Sequence, residues 1–145
     1  VALPRATPLV QTLPMRVFSS EQHSDFDAKS KVSANTTESM NAQITKWIEE
    51  NNVCLFMKGS RKMPQCGFSR FVVVLLNTYG VKNFKDVDVL SDDLLRSSIK
   101  EYSNWPTIPQ VYIKGQFVGG CDIMKEMHED GSLRELLIRE DIIQE

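Results

Sequence analysis

Cys66 is the residue of this chain whose surroundings most favour reactivity. It follows a polar, basic loop carrying Lys58, Arg61, Lys62 and Pro64, and it stands just before the apolar segment Phe71 to Leu76, which ends at Gly80. Ahead of the loop, Val53 to Met57 is an unbroken apolar run of the kind that forms a strand buried on both faces. This order of strand, basic loop, cysteine and helix places a sulfur at a helix N-terminus. Unpaired N–H groups and the helix dipole there favour thiolate over thiol. Lys58 and Lys62 push the same way through their charge. Cys66 is therefore expected to be an ionisable nucleophile and a ligand for soft metals. Cys54 is the contrast, since it lies inside the apolar run and reads as core.

The spacing after Cys66 limits what it can do. In Cys66-Gly67-Phe68-Ser69 a serine occupies the position of the second cysteine of a Cys-x-x-Cys redox motif. A hydroxyl cannot form a disulfide, so turnover needs an external thiol or a distant cysteine. Cys121 is the distant candidate, provided its α-carbon lies within disulfide reach of that of Cys66.

The rest of the chain must position this sulfur. At 145 residues and 41% hydrophobic content, the chain holds one core domain plus extra sequence. A net charge of −2 argues against nucleic-acid binding, and no apolar run is long enough to span a membrane. The three cysteines are odd in number and widely spread, which suits a reducing compartment. Residues 1–20 carry Arg5 and Arg16, no acidic residue and terminal serines, as organelle leaders do, and Arg16-Val17-Phe18-Ser19 looks like a mitochondrial processing site. The polar stretch Glu21 to Thr37 reads as linker. Residues 1–37 are thus a targeting leader and disordered linker, and 38–145 the folded domain.

Within that domain Met40, Ile44, Trp47 and Ile48 recur at helical spacing, and Asn51-Asn52 ends the helix. Phe84 to Val89 reads as a second strand, joined to the first through the Cys66 helix in a parallel βαβ unit. Ser91-Asp92 caps a third helix that buries Leu94, Leu95 and Ile99 and carries Arg96 and Lys100 beside them. Trp105-Pro106-Thr107-Ile108-Pro109 is too proline-rich for helix or central strand. Gln110 to Ile113 and Gln116 to Val118 flank Lys114-Gly115 as a hairpin. Gly119-Gly120-Cys121-Asp122 leads into a helix from Ile123 to His128, Gly131 stops it, and Ser132 with Glu135 spells a capping box for the last helix. His128 reads as a surface residue, because Cys66, Cys121 and His128 lack zinc-site spacing. The result is an α/β domain, a four-stranded mixed sheet flanked by helices. A cysteine after the first strand and a proline before the third suggest a thioredoxin-like fold.

Three motifs in order, Cys66-Gly67-Phe68-Ser69, Trp105-Pro106-Thr107-Ile108-Pro109 and Gly119-Gly120-Cys121-Asp122, resemble those of the monothiol glutaredoxins, in particular the single-domain mitochondrial class. The resemblance covers about residues 38–140. It implies a glutathione site made of Lys58, Cys66, Arg96, Lys100, Thr107, Ile108, Pro109, Cys121 and Asp122. In it Arg96 and Lys100 serve the glycine-end carboxylate, Thr107 and Ile108 offer a main-chain edge before a cis Pro109, and Cys121 with Asp122 holds the γ-glutamyl end. The charges suit glutathione, which brings two carboxylates and one ammonium. Directly after the nucleophile, Phe68 is expected to shield the sulfur or face a partner.

The resemblance further implies a [2Fe-2S] cluster held between two subunits in a homodimer, with Cys66 from each chain and two glutathione thiols as ligands. Cys66 is then the metal ligand, and iron–sulfur assembly or recipient proteins of the mitochondrial matrix are the partners. The alternative is an enzyme, a weak glutathione-dependent thiol–disulfide oxidoreductase in which Cys66 attacks a mixed disulfide and glutathione resolves it.

Overall fold

The apolar run Val53–Met57 is strand β1 in a computed structural model that describes residues 36–145, and every residue of the strand is buried. Its neighbours explain why no polar alternation appears in it. Val53, Leu55 and Met57 face one core layer, with Val72 and Leu76 of helix α2 (Gly67–Thr78), Met124 of α4 (Cys121–Asp130), and Leu133 and Leu137 of α5 (Ser132–Arg139). Cys54 and Phe56 face a second layer, with Ile44 and Ile48 of helix α1 (residues 36–50) and Leu95 and Ile99 of α3 (Asp93–Ser103). Helices cover both faces of the sheet, so a strand in its middle is apolar at each position. Residues 39–145 form one compact unit. The leader, and the linker up to residue 35, lie outside the described residues.

The sheet has four strands in the order β2-β1-β3-β4, with β2 at Lys85–Asp88, β3 at Gln110–Ile113 and β4 at Gln116–Gly119. β1 and β2 pair in parallel and are joined through α2, as the βαβ reading requires, and β1 pairs antiparallel with β3. β3 and β4 form the hairpin, with Lys114 at φ 51° and Gly115 at φ 82°. Both central residues are left-handed, the signature of a type I′ turn. This mixed sheet with helices on each side is the thioredoxin-like fold.

Several details differ from the sequence reading: α1 already begins at residue 36, inside the stretch read as linker, and β4 runs one residue further, to Gly119. β2 is shorter than Phe84 to Val89, because Val89 already belongs to a 3-10 turn whose Leu90 N–H donates to the Asp88 carboxylate. α4 starts at Cys121 and not at Ile123, which puts Cys121 and Asp122 in its first turn. The capping box at Ser132 does not form, since the N-cap is Gly131 and makes no side-chain cap. Asp130 takes that work, accepting from the Ser132 N–H at 2.8 Å and from its hydroxyl at 2.6 Å. An acidic residue just before a Gly-Ser pair can bond the freed N–H across the turn, which leaves Ser132 as a donor rather than a cap.

The loop between β1 and α2 is folded tightly on itself. Gly59 and Pro64 form an isolated β-bridge, and the Gln65 N–H donates to the Lys58 carbonyl at 2.8 Å. Gly59 sits at φ +88°, and a β-carbon there would lie 2.4 Å from the Met63 carbonyl oxygen and 2.8 Å from the Gln65 nitrogen. Both obstacles are backbone and cannot swing aside. Gly59→Ala is expected to cost about 2–3 kcal/mol of stability, through left-handed strain plus the clash. A thermal melt within about 2 °C of wild type would refute this.

Candidate functional site

Cys66 is the N-cap of α2, with extended backbone at φ −152° and ψ 143°. Its thiol makes no capping hydrogen bond within ordinary limits. Burial pushes that thiol up, but the opposing influences outweigh it: the N–H dipoles of Ser69 and Phe68, the Lys58 ammonium and the Ser69 hydroxyl. The net result is a thiol below its ordinary range, at a half-buried position. Lys58 is the lysine that acts, while Lys62 stays exposed in the loop and does not contribute.

Ser69 is fully buried, and its Oγ accepts from the Lys58 N–H at 3.1 Å. That bond ties the end of β1 to the first turn of α2 and leaves the hydroxyl proton to face the sulfur. The residue that breaks a Cys-x-x-Cys motif therefore has a task of its own, which its sequence position did not disclose.

A cleft of about 360 Å³ opens beside the thiol, walled by Lys58, Phe68, Lys100, the segment Trp105 to Pro109, and Gly120, Cys121 and Asp122. The Ile108–Pro109 peptide is cis. Thr107 is exposed, whereas Ile108 and Pro109 are buried. Gly120 keeps the floor open, because a β-carbon there would come within 3.1 Å of both the Pro109 carbonyl oxygen and Trp105 Nε1. Trp105 rests against Phe117 with ring centroids 5.6 Å apart, which steadies the proline segment. Gln110 holds that segment from below, its amide donating to the carbonyls of Trp105 and Thr107.

Seven residues singled out in the sequence, Lys58, Lys100, Thr107, Ile108, Pro109, Cys121 and Asp122, thus meet in this one cleft. Arg96 does not line it: it sits a turn earlier on α3, half-buried. Cys66 borders a second, more open cleft of about 440 Å³ with Gly67, Phe68, Phe71, Cys121, Asp122 and Lys125. Phe68 is 64% exposed between the two clefts and so is not core. His128 is exposed and bonds the Tyr79 hydroxyl at 2.8 Å, the surface role read for it. Among the described residues no three His, Cys, Asp or Glu side chains gather as a metal site.

The three thiols are ranked by environment. Burial raises Cys121, the Asp122 carboxylate and Cys66 add to that, and Lys125 opposes it. Burial pushes Cys54 up to about 12, eased only in part by Lys85. A lowered pKa means more thiolate at every pH below it, so iodoacetamide should reach Cys66 first as pH rises. Cys121 should follow at higher pH, and Cys54 only on unfolding. Mass mapping of the alkylated peptides across a pH series checks this order. Equal labelling of Cys66 and Cys121 at neutral pH would contradict it.

A cysteine capping the helix after the first strand, a cis proline just before the third, and a cleft between them are the arrangement of a thioredoxin-fold redox site. The sequence profile of the Glutaredoxin family matches residues 53–118. The chain is 55% identical over 96 residues to an uncharacterized monothiol glutaredoxin ycf64-like protein of Synechocystis, spanning 66% of this chain and 89% of that one. It is 48% identical over 94 residues to the mitochondrial glutaredoxin-related protein 5 of Danio rerio, spanning 65% and 61%. Relatives with chloroplastic names match as well. Among solved structures, reduced apo GrxS14 of poplar superposes with a TM-score of 0.63 at 44% identity, covering 69% of this chain and 91% of that one. The chain belongs to the monothiol glutaredoxins.

Proposed function

We propose that this chain carries a [2Fe-2S] cluster as cargo, held by the Cys66 thiolate together with glutathione, and passes it to acceptor proteins in the mitochondrial matrix. The observation that carries this reading is the single accessible thiol favoured as thiolate, next to a cleft whose charges match a tripeptide with two carboxylates and an ammonium. Lys58 and Lys100 supply cations. Asp122 supplies a carboxylate, and the first turn of α4 has N–H groups that no side chain caps. The Thr107-Ile108 main chain before the cis proline offers the cysteinyl residue an edge to pair with. Arg96, a turn back from the wall, acts on the glycine carboxylate from outside the cleft. Cys121 borders both clefts and packs against the γ-glutamyl end.

An iron–sulfur unit of this type takes four thiolates. One chain offers Cys66, since Ser69 is a poor ligand and is committed to Lys58, and Cys54 is sealed in the core. Two chains and two glutathione thiols complete the set, so the cargo is shared in a homodimer and its external ligands make it transferable. Anaerobic reconstitution with iron, sulfide and glutathione tests this. The expected result is visible cluster absorbance, and a colourless protein would refute it.

The lowered Cys66 thiol also favours a second reading, a monothiol oxidoreductase. The thiolate attacks the glutathionyl sulfur of a mixed disulfide and displaces the other thiol, which takes up a proton. A second glutathione thiolate then attacks the mixed disulfide on Cys66, releasing oxidised glutathione. This chemistry needs no dimer.

The matrix assignment rests on the acid-free leader with Arg5 and Arg16. A fluorescent fusion of residues 1–37 should enter mitochondria, and a plastid or cytosolic signal would overturn the assignment.

A further inference from the structure

The two clefts beside Cys66 adjoin and differ in chemistry. Phe68, Cys121 and Asp122 line both. The first, of about 360 Å³, adds Lys58, Lys100 and the main chain before the cis proline, a lining for charged and hydrogen-bonding groups. The second, of about 440 Å³, adds Cys66, Gly67, Phe71 and Lys125. Both volumes fall within the range of small-molecule sites.

Helical spacing accounts for the second cleft. Phe68 and Phe71, three residues apart, share a face of α2, and Cys121 and Lys125, four apart, share a face of α4. The cleft is a groove between these two helices, with both helix starts and Cys66 at one end. Phe68 is largely exposed and Phe71 half-buried, so two aromatic rings stand at open space. Gly67 leaves that space clear, since a β-carbon there would meet nothing within 4 Å. Cys66 lines this groove and not the first cleft. A glutathione seated in the first cleft therefore meets Cys66 with its sulfur at the border of the two, and a group attached to that sulfur enters the groove.

We propose that the α2–α4 groove is a subsite for the S-substituent of glutathione conjugates: the protein binds glutathione thioethers that carry an apolar group, with the tripeptide in the first cleft and the group against Phe68 and Phe71. The inference rests on the proposed glutathione seat and adds a ligand class to it. A thioether sulfur has no proton to lose and no disulfide bond to exchange. Such a conjugate fills the seat without entering cluster or exchange chemistry, and it keeps glutathione out.

Titration calorimetry of the full chain with S-methylglutathione and S-hexylglutathione tests this, with no iron or sulfide present. A fully buried methylene is worth about a fourfold gain in affinity, so even partial burial of the longer chain should make the hexyl ligand bind about tenfold tighter. Gly67→Leu fills the groove from a position with room for its β-carbon and outside the first cleft. It should erase the hexyl gain and keep the affinity for S-methylglutathione. In the wild-type protein, amide shifts that differ between the two complexes should fall at Gly67, Phe71 and Lys125, which line the groove alone. Equal affinity for the two ligands would overturn the subsite and leave the glutathione seat standing. Binding of neither ligand would overturn the seat and the subsite with it. A hexyl gain that survives in Gly67→Leu, or shift differences confined to other residues, would likewise overturn the proposal.

Discussion

Cys66→Ser is expected to lose cluster absorbance and glutathionylation together, whereas Cys54→Ala keeps both. The two cysteines lie only twelve positions apart in the chain and in opposite settings. Cys66 caps a helix beside Lys58, with its thiol lowered by N–H dipoles and that ammonium against the opposing push of burial. Cys54 is fully buried between α1 and α3, in a cluster with Phe56 and Tyr112, and its thiol stays protonated. Serine at 66 preserves the size of the cap and removes the one nucleophilic sulfur at the cleft, so the loss should be complete rather than graded. Alanine at 54 removes one buried atom, at a cost of about 1 kcal/mol in packing. Reconstitution, and mass spectrometry after exposure to oxidised glutathione, read both functions on the same samples. Cluster retained at full occupancy in Cys66→Ser would move the ligand to Cys121 and leave Cys66 an oxidoreductase nucleophile.

The features that could be read from the sequence are those set by local rules. An all-apolar run announced a strand covered on both faces, and Lys114-Gly115 announced a hairpin whose two φ angles are positive. The break before Phe71 set Cys66 at a helix start, where the N-cap geometry has it. The features that were missed depend on partners far along the chain. Arg61 looked like one more loop cation, but the carbonyls it binds are 21 and 23 residues away. Ser69 looked like a vacancy in a redox motif, yet it is a fully buried acceptor for the end of β1. The helical register of Arg96 put it on the same side of α3 as Lys100, but one turn is about 5.4 Å along the axis, enough to leave the cleft wall. Side-chain reach and burial decide such cases, and neither is a property of the segment itself.

Omitting glutathione from the reconstitution is expected to abolish cluster binding altogether, and Asp122→Ala to weaken it by about a decade. The first follows from the count of sulfurs. The described residues contain no group of three or more metal-binding side chains, and of the three cysteines only Cys66 is both accessible and favoured as thiolate. In the proposed dimer two chains would therefore bring two thiolates to a cluster that takes four. On that reading the remaining two come from a small thiol, and the cleft beside Cys66 is its proposed seat. Asp122 stands in the first turn of α4 at the cleft wall, and the proposed reading has its carboxylate meet the ammonium of glutathione there. A charge-assisted contact is worth roughly 1.5–3 kcal/mol, and exposure of Asp122 at the rim holds the loss near the lower figure. Raising the glutathione concentration about tenfold should then restore the variant, which a ligand lost from the metal itself would not allow. Size-exclusion chromatography with thiol quantitation should give a dimer carrying one glutathione per chain. A stable monomeric cluster, or a dimeric one free of low-molecular-weight thiol, would reject this mechanism and put the oxidoreductase reading first.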